Sequence, residues 1–163
     1  MIEFRILRKE EIYLVFEMIK KRVEWMEQNN IKQWSKAYYE EIYPLSYYEE
    51  ECLADHVYGL IDNKTNIILA SAVILKEDTR WPDLENALYV HNLVTRNGYT
   101  GIGKIFIKKL EELAKSNGVN YLRLDCSIYN DKLNKYYDNL GFIKCGTCVE
   151  GDYQGFLRQI KLK

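Results

Sequence analysis

The sequence predicts one mixed α/β domain over residues 1–163, and three observations support this fold class. A chain of 163 residues with 47% hydrophobic and 29% charged residues suits one compact domain with an ordinary core. Short apolar runs typical of strands alternate with longer segments whose apolar residues recur at helical spacing. A strand, a helix and a second strand follow one another over residues 87–126, which implies a parallel pair joined by a right-handed crossover.

The first elements are a strand and a long helix. Residues 2–7 alternate apolar and polar side chains, which predicts a strand with one buried face. Over residues 8–27 the apolar side chains recur at helical spacing, which predicts a long amphipathic helix. The stretch 30–39 is polar and aromatic without clear periodicity. It therefore forms a loop or a short helix that either covers the core or walls a ligand pocket.

A second, short helix and a hairpin come next. Pro44 marks the start of the helix, and Ser46 with Glu49 would form a capping box at its N-terminus. Residues 57–61 and 67–75 are apolar runs separated by polar turn residues, which predicts a β-hairpin.

The second half of the chain alternates strands and helices around a glycine-rich loop. Gly118 and Gly141 fit the positions that follow the C-termini of two helices. The predicted elements are a strand over 87–94, a helix over 105–117, a strand over 121–126, a helix over 130–140, and two strands around 142–149 and 156–162.

The glycine-rich loop lies where the strand over 87–94 leads into the next helix, and it reads Gly98-Tyr99-Thr100-Gly101-Ile102-Gly103-Lys104. Its three glycines allow unusual φ angles and let backbone N–H groups face a ligand. The helix N-terminus adds about half a positive charge. These features predict an anion cradle, most naturally for phosphate or pyrophosphate.

The same loop partly fits two nucleotide-binding patterns. Phe106 occupies the last glycine position of the dinucleotide fingerprint G-x-G-x-x-G. Gly98, Gly103 and Lys104 nearly satisfy the Walker pattern, but Ile105 replaces the hydroxyl residue that would bind magnesium. A tight strand-to-helix turn without any ligand is the structural alternative.

Charge and hydrophobicity argue against nucleic-acid and membrane partners and indicate the cellular location. The formal net charge of −1 and the pI near 6.2 give no basic field for nucleic acid or an anionic membrane. The N-terminal residues lack a signal-peptide pattern and no apolar run is long enough to span a bilayer, so we expect a cytoplasmic protein.

The four cysteines include the pattern Cys145-Gly146-Thr147-Cys148. Such a pair can be a redox motif or half of a zinc site, but this one follows residues typical of a strand and there is no second C-x-x-C. We therefore expect reduced cysteines that act as small apolar residues.

Two motifs resemble those of the GNAT superfamily of acyl-CoA-dependent N-acetyltransferases. Gly101-Ile102-Gly103 is similar to the end of that family's Gln/Arg-x-x-Gly-x-Gly/Ala loop. Asn130, Tyr137 seven residues later, and Leu140-Gly141-Phe142 resemble the second motif. The order of strands and helices is similar over nearly the whole chain.

The resemblance implies a central, mixed, mostly antiparallel sheet of six to seven strands with about four flanking helices. Strands four and five would be parallel and splayed. It also implies acetyl-CoA as the acetyl donor and no metal, with the pyrophosphate on the loop and the pantetheine arm between the two splayed strands. The cofactor-binding residues that it implies are Leu93, Val94, Gly98, Tyr99, Thr100, Gly101, Ile102, Gly103, Lys104 and Asn130.

Two of these assignments have alternatives. Asn130 equally fits a helix N-cap. The Gln/Arg of the family's loop falls at Gly98, so either Arg96 binds the pyrophosphate from a shifted register or backbone groups act alone.

The resemblance also implies catalytic roles. Tyr137 would donate a proton to the departing thiolate, and its alternative is a core tyrosine. The family often uses a carboxylate on the fourth strand as the base, but His91 is the titratable group there and Glu27 is a second candidate. A structural histidine is the alternative for His91.

The resemblance implies that the acceptor is a small-molecule or peptide amine. The family builds the acceptor pocket from its first two helices and their connection. The corresponding residues are Trp25, Glu27, Gln33 and Trp34, and the acidic Glu27 would suit a cationic amine. A non-catalytic acyl-CoA-binding module and a P-loop phosphotransferase are the alternative functions. A homodimer is possible, since homodimers are common in proteins that resemble this one.

Overall fold

A computed structural model describes residues 1–31, 33, 34 and 36–162 of the chain. Seven strands and five α-helices lie in these residues, with one 3-10 turn over Lys9–Glu11. The strands are β1 (Ile2–Ile6), β2 (Val57–Asp62), β3 (Ile67–Leu75), β4 (Ala87–Thr95), β5 (Tyr121–Ser127), β6 (Ile143–Glu150) and β7 (Tyr153–Lys161). The helices are α1 (Ile12–Gln28), α2 (Lys36–Ile42), α3 (Leu45–Leu53), α4 (Ile102–Ser116) and α5 (Asp131–Asn139).

The strands form one seven-stranded sheet in the order β1-β2-β3-β4-β5-β7-β6. Every neighbouring pair is antiparallel except β4 and β5, which are parallel. The parallel pairing covers only Ala87–Tyr89 against Tyr121–Arg123, so the two strands separate beyond Tyr89. This arrangement confirms the predicted fold class, including the splayed strands four and five.

Both faces of the sheet are covered by helices. On one face Phe106, Ile107 and Leu110 of the strongly amphipathic α4 pack on Leu122 and Leu124 of β5 in one core cluster. On the other face the apolar side of α1, with Val15, Ile19 and Val23, lies in a second cluster together with β2, β3 and α3. The two layers hold β4 at the centre of the protein while its C-terminal end stays unpaired with β5.

The connection between α1 and β2 differs in detail from the sequence prediction. The aromatic stretch continues into a separate helix, α2, so the described residues contain one helix more than the four expected. The predicted capping box is wrong, because Pro44 is the N-cap of α3 and no side chain caps that end. Ser46 instead lies inside the first turn of the helix.

Two element boundaries also differ. The helix predicted from residue 8 begins as the 3-10 turn, and α1 proper starts at Ile12, because Glu11 accepts a hydrogen bond from the backbone N–H of Arg8 and caps the turn. Strand β7 starts at Tyr153, three residues before the predicted 156, because Glu150 pairs with Tyr153 across a tight turn. Gly151 in this turn has a φ of +58°, which glycine adopts without strain. In the described ranges no helix is long and apolar enough to cross a membrane.

Candidate active site

Strand β4 carries a bulge where it leaves β5. Ser71 of β3 pairs with Val94 and Val73 pairs with His91, so β4 contains one residue more than β3 between these pairs. Asn92 lies in this bulge with a φ of +54°, a left-handed conformation that asparagine tolerates better than most residues. The bulge changes the direction of the strand at the point where the sheet opens.

Two tyrosines hold the bulge in place. The Nδ2 group of Asn92 donates a hydrogen bond to the Tyr39 hydroxyl at 2.7 Å, and the Tyr47 hydroxyl donates to Asn92 Oδ1 at 2.8 Å. Tyr39 belongs to α2 and Tyr47 to α3. Both helices therefore fix the open end of β4, a role that the sequence pattern of residues 30–48 did not indicate.

A cleft of about 1080 Å³ lies at the opening between β4 and β5. Its walls come from the C-terminal part of α1, the segment before α2, the start of α4, α5 and the turn between β6 and β7. Most of the predicted site residues line it together, namely Trp25, Glu27, Gln33, Trp34, His91, Leu93, Val94, Tyr99, Gly101, Ile102, Gly103, Lys104, Asn130 and Tyr137.

Three predicted residues, Arg96, Gly98 and Thr100, do not line this cleft. The backbone N–H of Arg96 donates to Leu69 O at 2.8 Å, so the residue still follows β3. Its Nε group donates to the carbonyl oxygen of Ile68 at 2.6 Å. The predicted contact between Arg96 and a pyrophosphate stays a prediction, but the side chain is engaged on β3.

Two glycines of the loop have left-handed backbone conformations where the chain enters α4. Gly98 has a φ of +90° and Gly101, the N-cap of α4, a φ of +76°. A Cβ on Gly103 would lie 2.8 Å from the Tyr136 hydroxyl oxygen, so only glycine lets that tyrosine lie against the first turn of the helix. The helix N-terminus and Lys104 place positive charge beside this turn. These residues fit a phosphate group.

Tyr137 lies at the inner wall of the cleft and is only 5% exposed. Its ring packs against the rings of Tyr136 and Phe142, with centroid distances of 5.6 Å in both cases. Burial raises the pKa of the Tyr137 phenol well above its ordinary value. Within the described part of the chain, its hydroxyl makes no hydrogen bond, so the group is protonated and has capacity for a ligand.

Asn130 is the N-cap of α5. Its Oδ1 atom accepts a hydrogen bond from the backbone N–H of Leu133 at 3.1 Å. The capping alternative is therefore confirmed. Asn130 also lines the cleft, and its Nδ2 group donates to none of the described residues, so the cap leaves a donor for a ligand.

His91 lies in the cleft wall between a carboxylate and a guanidinium. Its Nε2 atom is 3.0 Å from Asp78 Oδ2, an ion-pair distance, although the contact lacks hydrogen-bond geometry. Its Nδ1 atom lies 3.5 Å from Nη1 of Arg80. Burial would raise the pKa of Asp78, but His91 and then Arg80 outweigh it, so the pKa is lowered and Asp78 is ionised.

Arg80 is the centre of a polar cluster, although its sequence context indicated only a loop. It donates to Glu150 Oε2 at 2.5 Å, to Asp125 Oδ2 at 3.2 Å and to the Tyr43 hydroxyl at 3.2 Å. Asp125 also accepts a hydrogen bond from Tyr153 at 2.6 Å. Burial would lower the pKa of Arg80, but its acidic partners raise it.

This cluster makes one part of the cleft acidic. Asp125, Glu150 and Asp152 line it, Asp78 contacts His91, and Arg80 is the cation that pairs with Asp125 and Glu150. The position of Asp125 near the carboxyl end of a parallel strand was a usable sequence signal. Arg80 gave none, because its partner Glu150 is 70 positions away in the sequence.

Aromatic rings form the wall next to this acidic part. Trp34 stacks on Tyr39 with a centroid distance of 4.5 Å, and Tyr39 lies 4.9 Å from Tyr43. Gln33 is buried, and its Oε1 atom accepts a hydrogen bond from the backbone N–H of Ser127 at 2.9 Å. Gln33 therefore attaches the segment before α2 to the end of β5.

The Cys145 and Cys148 pair lies within β6, as predicted, and both thiols are free. Cys148 is buried, and burial raises its pKa to about 11. In the described residues, no three His, Cys, Asp or Glu side chains are grouped so that they could hold a metal ion.

Comparison with known proteins assigns the class of protein. The model of the acetyltransferase (GNAT) family matches residues 21–142. The chain belongs to this family, and it is therefore an acetyltransferase by class. No curated protein matches the sequence.

Solved structures share the fold at low sequence identity. A GNAT-family acetyltransferase from Listeria monocytogenes 4b F2365 is 21% identical, with a TM-score of 0.80 over 99% of this chain and 95% of that one. The PaiA N-acetyltransferase from Thermoplasma acidophilum, solved with coenzyme A, is 17% identical with a TM-score of 0.75 over 99% of both chains. Aminoglycoside acetyltransferase AAC(6')-Ib, solved with coenzyme A and kanamycin, is 16% identical with a TM-score of 0.70 over 99% of this chain and 95% of that one.

Proposed function

We propose that this protein transfers the acetyl group of acetyl-CoA to a primary amine by direct attack in a ternary complex. The observation that carries the proposal is the separation of β4 from β5 beyond Tyr89, which opens one cleft from the glycine loop to the acidic cluster. Family membership and two similar structures that contain coenzyme A support the choice of donor.

The donor supplies an acetyl group activated as a thioester, and residues of this chain bind and orient it. Backbone N–H groups of the loop residues that line the cleft, Tyr99 and residues 101–104, bind the pyrophosphate at the N-terminus of α4. Asn130 contacts the pantetheine arm through its side-chain amide. Backbone N–H groups around Leu93 and Val94, next to the bulge, stabilise the negative charge that develops on the thioester oxygen.

Tyr137 donates the proton that the departing thiolate requires. Its hydroxyl lies in the cleft wall, is protonated at neutral pH and is not engaged by the described residues. A buried phenol is a weak acid, so it transfers its proton only as the thiolate forms.

The acceptor must reach the thioester as a neutral amine. For an amine with a pKa of about 10.4, deprotonation at pH 7 costs about 4.6 kcal/mol. His91 is the proposed proton acceptor, because it is the histidine of β4 that lines the cleft beside the carboxylate of Asp78.

The acceptor enters the pocket as a cation, before its reacting amine loses a proton. Trp25, Glu27, Gln33 and Trp34 contribute to its pocket, and aromatic rings next to carboxylates favour a cation. The acidic part of the cleft, with Asp125, Glu150 and Asp152, has the same preference. A small-molecule amine and a peptide amine both satisfy this chemistry.

We also propose that the protein forms a homodimer.

A thiol-release assay tests the proposed function. Purified protein is incubated with acetyl-CoA and a panel of diamines, polyamines, aminoglycosides, amino acids and lysine peptides, and free coenzyme A is measured. We expect release above the no-acceptor background with cationic amines, and acetylated product by mass spectrometry. Acetyl-CoA binding without turnover on any amine would favour the non-catalytic module.

A further inference from the structure

The loop that would bind the pyrophosphate has no basic side chain at its first motif position. Gly98 stands where the family's motif has Gln or Arg, and Arg96 donates to the Ile68 carbonyl outside the cleft. Lys104 is exposed on the first turn of α4. The loop would stabilise the negative charge of a diphosphate mostly through backbone dipoles. A further cation in the cleft wall would neutralise part of that charge.

We propose that Arg22 of α1 is the side chain that binds the donor's pyrophosphate. This inference rests on the proposed function. Arg22 lines the cleft, although it lies more than 70 residues before the loop in the sequence.

The contacts of Arg22 place it beside the glycine loop. Its Nη2 group donates to the carbonyl oxygen of Thr95 at 2.6 Å and lies 3.2 Å from the Thr95 hydroxyl. Thr95 ends β4, and its Cγ2 atom would lie 3.8 Å from a Cβ on Gly103 in the first turn of α4. The guanidinium and the helix N-terminus therefore flank the same threonine.

Arg22 is a partly buried cation without a carboxylate partner among the described residues. By contrast, several other arginines form ion pairs with carboxylates, namely Arg5, Arg80, Arg123 and Arg158. Burial without a compensating anion lowers the pKa of Arg22. A buried charge is costly unless it is paired, and an anion in the cleft would pair this one.

The guanidinium also has free donors in a fixed position. Its centre lies 5.2 Å from the centroid of the Trp25 ring, which restricts its orientation. The Nε and Nη1 groups donate to none of the described residues. Arginine presents such donors in a planar fork that matches two phosphate oxygens.

Calorimetric titration of the wild type and of Arg22→Gln tests the proposal. Glutamine retains a donor for the Thr95 carbonyl but removes the charge. The ligands are coenzyme A and 3′-dephospho-coenzyme A, which keeps the pyrophosphate but lacks the 3′-phosphate. We expect Arg22→Gln to weaken both ligands by the same factor, about 10- to 100-fold, since a hydrogen bond to a charged group contributes about 1.5–3 kcal/mol.

Two controls accompany the titration. Lys21→Gln removes an equal charge from the neighbouring, exposed position of α1, which does not line the cleft, and we expect wild-type affinity. Arg22→Lys keeps the charge without the planar fork, and it should recover part of the affinity that Arg22→Gln loses. Thermal unfolding of each variant shows whether a loss of affinity reflects a loss of folding.

The outcomes separate this proposal from the proposed function. If the wild type does not bind coenzyme A, both fail. If the wild type binds and a folded Arg22→Gln protein binds equally well, only the role of Arg22 is overturned. A loss confined to coenzyme A itself would move Arg22 to the 3′-phosphate and would also contradict the proposal.

Discussion

Tyr137 combines three properties that a proton donor in this cleft needs. It lines the cleft, burial keeps its phenol protonated, and no described residue occupies its hydroxyl. Its ring is fixed by Tyr136 on one side and Phe142 on the other. The group is therefore positioned by packing and free to bond with a ligand.

Replacing Tyr137 by phenylalanine removes the hydroxyl and keeps the packing. We expect kcat to fall about 100-fold, because general acid catalysis typically contributes 10²- to 10⁴-fold, while the Kd for acetyl-CoA stays within a factor of two or so. Steady-state thiol release and calorimetry measure the two quantities. Tyr13→Phe, on the exposed face of α1, is the matched control. Wild-type kcat in a folded Tyr137→Phe protein would remove the residue from the mechanism.

Single residues differ in how far the sequence indicated them. Tyr137 and Asn130 belong to a short local motif, so their presence in the cleft could be predicted from the residues around them in the sequence. Arg22 and Arg80 could not, because their partners lie 73 and 70 positions away. Such contacts depend on how the sheet folds, and no local pattern records them.

At the scale of elements, the glycine loop and α5 form one unit. The hydroxyl of Tyr136 on α5 fills the space where Gly103 of α4 has no side chain. The two elements would therefore bind a ligand together, and a change at Gly103 must act through Tyr136.

A double-mutant cycle tests this contact. Gly103→Ala would bring a Cβ to 2.8 Å from the Tyr136 hydroxyl oxygen, so the tyrosine must move, and we expect this cost to offset the gain of about 1 kcal/mol that alanine has over glycine inside a helix. In a Tyr136→Phe background the clashing oxygen is gone, so the same change should raise the free energy of unfolding by about 1 kcal/mol. Urea unfolding measures all four proteins.

Gly146→Ala is the control for that cycle, since its Cβ would meet only Leu157 at an ordinary 3.8 Å. Equal effects of Gly103→Ala in both backgrounds would show that the tyrosine hydroxyl does not constrain the loop.

Elements with strong periodicity were predicted well, and those without it were not. The apolar stripes of α1 and α4 and the runs of β3 and β4 indicated their type and approximate position. Helix α2 has only seven residues, which is too short for a repeating apolar pattern to be recognised in the sequence. Its Tyr39 contacts Tyr43, which follows the helix. The bulge at Asn92 depends on pairing with β3 and on Tyr39 and Tyr47, which explains why the strand's sequence did not show it.

On the scale of the whole molecule, positively and negatively charged residues lie in different parts of the cleft, which the net charge does not indicate. The net charge is only −1. Around the glycine loop the cleft is lined by Arg22 and Lys104, whereas at the end of β5 and the β6–β7 turn three carboxylates, Asp125, Glu150 and Asp152, outnumber the cationic Arg80. A basic part suits a phosphorylated donor and an acidic part suits a cationic acceptor, so the two ligands would bind side by side.

Calorimetric titration of the wild-type protein with acetyl-CoA, beside a titration with Mg-ATP in the same buffer, tests the central claim most directly. We predict saturable binding of acetyl-CoA with one site per chain and no heat of binding for Mg-ATP, because the cleft between β4 and β5 suits a pantetheine arm and Ile105 replaces the Walker hydroxyl. Binding of Mg-ATP without binding of acetyl-CoA would contradict the account.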